Sequence, residues 1–181
     1  MKLILLDRDG VLNDEIGGYI KSPADIRMIP GSARALARLN RAGFKVAICT
    51  NQSVVGRGYI GNDMLMRINQ HLADQLAAEG GRWDEMFICT DHPDRPTRRR
   101  KPGPGMLEEA LAMFQADPAA TPFIGDNLRD LEAALAVGCP RHLVRTGHGA
   151  KTQGEGIPER VLPVRIHDDL AAAVTALLGS E

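Results

Sequence analysis

Residues Leu3-Ile4-Leu5-Leu6-Asp7-Arg8-Asp9-Gly10-Val11 run four apolar side chains directly into an Asp-x-Asp pair and a glycine. A run this short, apolar at every position and without helical period, reads as a strand buried on both faces, the kind found in parallel sheets. Segments 46–49, 86–89, 122–124 and 142–144 share that character. Between them lie helical patterns. Stretch 32–42 places Ala35, Leu36 and Leu39 on one stripe and stops at Gly43, and 63–79 repeats apolar residues at helical spacing before Gly80-Gly81. Segments 105–115, 128–137 and 168–178 complete the set, the second of them stopping at Gly138.

Strands alternating with helices predict one α/β domain over 1–181, a doubly wound, mostly parallel sheet with helices on both faces. Ligands of such sheets bind at the carboxyl ends of strands. Four of those ends carry Asp7-Arg8-Asp9, Thr50-Asn51-Gln52, Cys89-Thr90-Asp91-His92 and Gly125-Asp126, so the chemically capable groups gather on one rim.

The rest of the composition narrows the function classes. A length of 181 residues suits one domain of ordinary size. With 22 basic against 23 acidic residues, no overall field points to nucleic acid or a membrane surface, and neither is expected as a partner. The apolar run before Asp7 is too brief for a signal peptide or a membrane span, so a cytoplasmic location is expected. Cys49, Cys89 and Cys139 are few and far apart, which reads as reduced thiols. Trp83, Met106 and Met113 read as packing residues rather than a binding stripe.

Two carboxylates one residue apart after a buried strand repel strongly in a low dielectric, and a divalent cation relieves that. Hard aspartate oxygens suit Mg2+, which takes one or two carboxylates and keeps sites for water and phosphate oxygens. Asp126 is a natural further ligand. An aspartate can also attack phosphorus, while a neighbouring acid protonates the leaving oxygen and later activates water. Asp7 and Asp9 could divide those roles, with Thr50 and Lys101 stabilising the charge on the transferred group.

Asp7-x-Asp9-Gly10-Val11, Thr50-Asn51, Lys101-Pro102 and Gly125-Asp126-x-x-x-Asp130, in that order, resemble the four motifs of the haloacid dehalogenase-like (HAD) hydrolases. The resemblance spans most of the chain. It implies Asp7 as nucleophile, Asp9 as general acid and base, Thr50 and Lys101 as phosphoryl stabilisers, and magnesium on Asp7, the Asp9 carbonyl and Asp126, with Asp130 supporting from behind. Short spacings between the motifs leave no room for a separate cap domain, so an open site is expected.

Gly18-Tyr19, Thr50-Asn51-Gln52-Ser53, Arg57-Gly58, Arg100-Lys101-Pro102 and Arg145-Thr146-Gly147 bring the sequence closer to one branch of that family, the heptose bisphosphate and histidinol phosphate phosphatases. This likeness implies a small phosphorylated sugar as substrate. Its contacts would come from Glu15, Gly18, Tyr19, Asn51, Gln52, Ser53, Arg57 and Asn127, with Arg100 on the phosphate that is not cleaved. Arginine suits that role because its planar fork holds phosphate in a bidentate way. Arg98 and Arg99 are expected to face solvent.

The chain departs from the branch at two places. A zinc loop of Cys-x-His and Cys-x-Cys is usual before Arg-Lys-Pro, but here only Cys89 and His92 precede Arg100, and two ligands do not close a tetrahedral site. No structural zinc is expected, and Pro93, Pro96 and arginine contacts would hold the loop. Asn127 stands where lysine is common in the heptose enzymes. A monomer is expected. Histidinol phosphate is the rival substrate, favoured by Asp14, Glu15, Asp91 and Asp94; a non-catalytic phosphate-binding module is the rival class, with no glycine-rich phosphate loop to support it.

Overall fold

The computed structural model describes residues 2–179. Six strands, β1 (Lys2–Leu6), β2 (Phe44–Asn51), β3 (Glu85–Cys89), β4 (Phe123–Gly125), β5 (Arg141–Val144) and β6 (Val164–His167), form one all-parallel sheet in the order β3-β2-β1-β4-β5-β6. Helices α1 (Ser32–Arg41), α2 (Ser53–Gly56), α3 (Asn62–Ala77), α4 (Gly105–Phe114), α5 (Leu128–Val137), α6 (Gly149–Gly154) and α7 (Leu170–Leu178) make up the rest of the regular structure, apart from short 3-10 turns.

Strand β1 shows why the opening motif decides the fold. Ile4 and Leu6 face a layer built from Leu36 and Leu39 of α1, Leu72 of α3 and Val174 of α7. Leu3 and Leu5 face the opposite layer, with Met106 and Leu107 of α4 and Ala133 of α5. All four are fully buried, so the strand supplies core to both faces, each such side chain contributing about 1.5–3 kcal/mol. Both cores meet at β1. The strand order reverses beside it, between β1 and β4, and this switch point opens a crevice at the carboxyl ends of the strands.

Among the described residues there is no separate cap: the segments that follow β1 and β3 are loops with a single 3-10 turn. No helix among them is long and apolar enough to cross a membrane. Two details correct the sequence reading. Met113 does not pack; it is 58% exposed on the outer side of α4. Edge strand β6 and helix α6 also went unread, because Val164-Arg165-Ile166-His167 is only half-buried and carries no apolar run.

Candidate active site

Asp7 leaves the end of β1 with its backbone N–H bonded to the Ile124 carbonyl of β4, so the switch point fixes where its carboxylate sits. Its Oδ1 accepts from the Arg8 amide at 2.7 Å and its Oδ2 lies 2.9 Å from Lys101 Nζ. Lys101 is fully buried and also meets Asp130 Oδ1 at 2.7 Å. Burial alone would strip the Lys101 proton, but the Asp130 and Asp7 carboxylates hold it firmly charged.

Asn51, the last residue of β2, fixes the lysine's backbone from both sides. Its Nδ2 donates to the Lys101 carbonyl at 3.0 Å and its Oδ1 accepts from the Lys101 N–H at 3.1 Å. Thr50 beside it is buried, and its hydroxyl oxygen accepts from Gln52 Nε2 at 3.0 Å. The same Gln52 nitrogen donates to Asp9 Oδ2 at 2.7 Å. Motif residues on different strands are thereby locked into one network.

Asp9 is surrounded by donors. Asn13 Nδ2 reaches its Oδ1 at 2.8 Å, and the Arg8 guanidinium grips both oxygens from Nε and Nη2. Burial pushes its carboxyl upward, yet Arg8, Asn13 and Gln52 together bring it below the ordinary aspartate value. Arg8 is itself fully buried and anchored by Nη1 to Asn69 of α3 at 2.7 Å. Sequence reading treated Arg8 as the spacer of Asp-x-Asp and did not single out Asn13 or Asn69; the available signal was a charged residue inside a buried motif.

Asp7, Asp126 and Asp130 bring one oxygen each within 4.8 Å of one another, the only convergence of three or more His, Cys, Asp or Glu ligands among the described residues. Burial, Asp130 and Asp7 push Asp126 up to about 9; burial, with Asp130 and Asp9 acting against Lys101, pushes Asp7 up to about 6. Crowding of this kind is what a divalent cation relieves. Asp130 is committed elsewhere: its Oδ2 accepts from the Asp126 and Asn127 amides at 3.1 and 3.0 Å and its Oδ1 faces Lys101. The donor set at Asp7 and Asp126 is hard oxygen and fits Mg2+. Two glycines keep the cradle open. A Cβ on Gly10 (φ +80°) would stand 2.0 Å from Asp126 Oδ2, and one on Gly147 (φ +57°) 2.2 Å from it. Thr146 ties the two loops together by donating from Oγ1 to the Gly10 carbonyl at 2.6 Å.

This crowding makes stability depend on pH and metal. A carboxyl with a raised folded-state pKa holds its proton more tightly when folded, so its contribution is full below the ordinary value of 3.8 and is lost as pH rises toward the folded value. In chelator, the contribution of this pair to the melting temperature is expected to fall from about pH 3.8, through about pH 6 where the share of Asp7 is spent, to about pH 9 where that of Asp126 is. Added Mg2+ should raise the melting temperature more at the upper pH; an equal rise at both ends would contradict this account.

Beside the acids lies a cavity of about 640 Å³. Of the residues expected to meet substrate, Glu15, Gly18, Tyr19, Asn51, Gln52, Ser53, Arg57 and Arg100 all line it, as does Asp9. Asn127 does not. Its side chain caps α5, accepting from the Arg129 amide at 3.3 Å, and lines a neighbouring cavity. Arg129 and His148 line the main cavity and were not anticipated. Burial, then Asp9 and Asp7, push Glu15 up to about 7, and His148 Nε2 lies 3.6 Å from its carboxylate. At the lip, Arg57 lies over Tyr19 at 5.4 Å and Tyr19 packs on Tyr59 at 5.2 Å.

The loop before Lys101 is organised by Asp91, whose Oδ2 accepts from both the amide and the hydroxyl of Thr97 at 2.7 Å. Arg100 donates to the Asp91 carbonyl. Arg98 and Arg99 do more than face solvent: they pair with Glu108 and Glu109 of α4, and Arg99 also donates to the Ile88 carbonyl. His92 Nδ1 accepts from the Asp94 amide, while Cys89 is buried.

The HAD-hydrolase-like family model matches residues 98–173. D-glycero-beta-D-manno-heptose-1,7-bisphosphate 7-phosphatases of Bordetella bronchiseptica and Pseudomonas putida are 42% and 43% identical to the chain, each over 98% of it and over 98% and 100% of their own lengths. The crystal structure of the D,D-heptose 1,7-bisphosphate phosphatase from B. bronchiseptica, complexed with magnesium and phosphate, superposes with a TM-score of 0.93 over 98% of each chain. That from Burkholderia thailandensis, 39% identical, gives 0.77 over 99% of this chain and all of its own. Parallel sheet, switch-point acids and buried lysine thus coincide with near full-length similarity, and the chain belongs to the HAD-like hydrolases, alongside their heptose bisphosphate phosphatases.

Proposed function

We propose that the chain hydrolyses the 7-phosphate of D-glycero-D-manno-heptose 1,7-bisphosphate, the beta anomer by analogy with its relatives, through an aspartyl-phosphate on Asp7. Its product would feed ADP-heptose and lipopolysaccharide core assembly. The observation that carries this reading is the convergence of Arg57, Arg100 and Arg129 on the cavity that also exposes Asp9. One phosphate is placed at Asp7 and Lys101; guanidinium groups beyond them call for a second anion. They also repel an amine, which weighs against histidinol phosphate.

An Asp7 carboxylate oxygen attacks phosphorus, and the bond from phosphorus to the sugar O7 breaks as Asp9 delivers a proton to that oxygen. Water then attacks the acyl phosphate, Asp9 takes its proton, and inorganic phosphate leaves with Asp7 restored. The donors around Asp9 favour its ionised form, the state needed to activate water; the 7-phosphate dianion beside it draws the proton needed for the first step. Lys101 and Thr50 stabilise charge on the equatorial oxygens. Bound at Asp7, the Asp9 carbonyl and Asp126, Mg2+ would neutralise charge on the phosphoryl group.

The reading adopted is a single-domain monomer in the cytoplasm, a location that three free buried cysteines suit. The loop from Asp91 to Arg100 is held by the Thr97 and Arg99 contacts and needs no zinc; stoichiometric zinc in purified protein would overturn that. Turnover of the heptose bisphosphate and of histidinol phosphate, compared under matched conditions with Mg2+, tests the substrate. The bisphosphate is expected to be preferred, and preference for histidinol phosphate would sink the assignment.

A further inference from the structure

Arg129 is the second residue of α5, and its guanidinium makes no hydrogen bond or ion pair among the described residues. It lines the main cavity and the smaller one beside it, in which Asn127 also lies. Arg100 and Arg57 line the same cavity, and after burial the charges of Arg129 and then Arg57 hold the Arg100 guanidinium below its ordinary value. Arg57 brings a buried Nε with no partner. Three cations therefore face one space, and only Arg100 has a backbone acceptor, the Asp91 carbonyl at 3.3 Å. Like charges that face one space repel each other and together attract an anion brought into it.

The amino end of α5 does not supply that attraction by itself. Asn127 and Asp130 occupy the amides there, Asn127 Oδ1 accepting from Arg129 N and Asp130 Oδ2 from Asp126 N and Asn127 N. The side chain of Arg129 is what reaches the ligand space. Glu15 lines the same cavity, and its carboxyl feels the Arg129 charge as an attraction and the Asp9 and Asp7 charges as repulsion.

We infer that Arg129 is a specificity-determining residue that, with Arg100, clamps the retained phosphate of a sugar bisphosphate, doing from the second position of α5 what Asn127 cannot do from its cap. This rests on the reading that a bisphosphate is the substrate. The clamp consists of charge-assisted N–H···O bonds to a phosphate dianion.

The test compares kcat/KM for heptose 1,7-bisphosphate and heptose 7-phosphate in wild type, Arg129→Ala and Arg129→Lys, with Mg2+. In wild type the bisphosphate should be preferred; absence of that preference would refute the bisphosphate reading itself rather than the role of Arg129. Given the preference, Arg129→Ala should lower kcat/KM for the bisphosphate by about 10- to 100-fold, the worth of a hydrogen bond to a charged group, and leave the 7-phosphate nearly unchanged. Arg129→Lys should recover part of the loss, since it keeps the charge without the fork. Equal losses on both substrates, or none on either, would overturn the inference. Melting temperatures of the variants should match wild type because the α5 cap uses only the Arg129 backbone; a marked drop would show a structural role instead and equally overturn it.

Discussion

Asp7→Asn is expected to lower turnover by about 10,000-fold or more, the scale seen when a covalent nucleophile is removed from a site whose groups act as a unit. The substitution is nearly isosteric, and the new amide can still accept from the Arg8 N–H through Oδ1. Lys101 loses one of two carboxylate partners and keeps Asp130. Asn also removes one charge from a cluster in which Asp126 is already pushed up to about 9. The metal-free variant should therefore melt no lower than wild type while being inactive. Substantial activity in a clean, folded preparation would refute the assignment of Asp7.

Lys101→Met should have the second largest effect, and it acts on stability as well as rate. Among the described residues the ammonium is the sole cation paired with both Asp7 and Asp130, and it is fully buried. Removing one partner of a buried ionic network leaves uncompensated charge and typically costs about 3–5 kcal/mol. For a chain of this size that corresponds to a melting temperature lower by roughly 10 °C. Turnover should fall by about 100- to 1,000-fold as well, since a preplaced cation on the transferred group is lost. Mg2+ should recover much of the stability and little of the rate. A wild-type melting temperature in chelator would contradict the ion-pair geometry on which the site rests.

Much of this was legible in the sequence because the same residues serve fold and chemistry. An unbroken apolar strand ending in Asp-x-Asp both seeds a two-faced sheet and aims two carboxylates at its rim. Thr50 and Asp126 could be placed on that rim from their strand ends, whereas Lys101, in the loop beyond β3, was placed by its motif. Other features depend on pairings that one-dimensional patterns do not contain. Arg8 and Asn69 lie far apart in the chain, and only the packing of α3 on the sheet brings them together. Asn127 and Arg129 are two positions apart at the start of a helix, where one side chain caps the turn and the other swings to the cavity. The helical spacing near Met113 is correct, but the element is covered on one side only.

The loops behave differently from the rim. Gly18, Tyr19 and Arg57 were placed by resemblance rather than by period, and they line the cavity, where Arg57 lies over Tyr19, Tyr19 packs on Tyr59 and Lys21 lies over Tyr59. Recognition is thus built on segments whose conformation is set by mutual packing, while the chemistry is set by the sheet.

The most direct test of the account is the site of cleavage. Phosphorus NMR of wild-type enzyme acting on D-glycero-beta-D-manno-heptose 1,7-bisphosphate with Mg2+ should show the 7-phosphate signal converted to inorganic phosphate while the anomeric 1-phosphate persists. Loss of the 1-phosphate, or no hydrolysis of either, would contradict it.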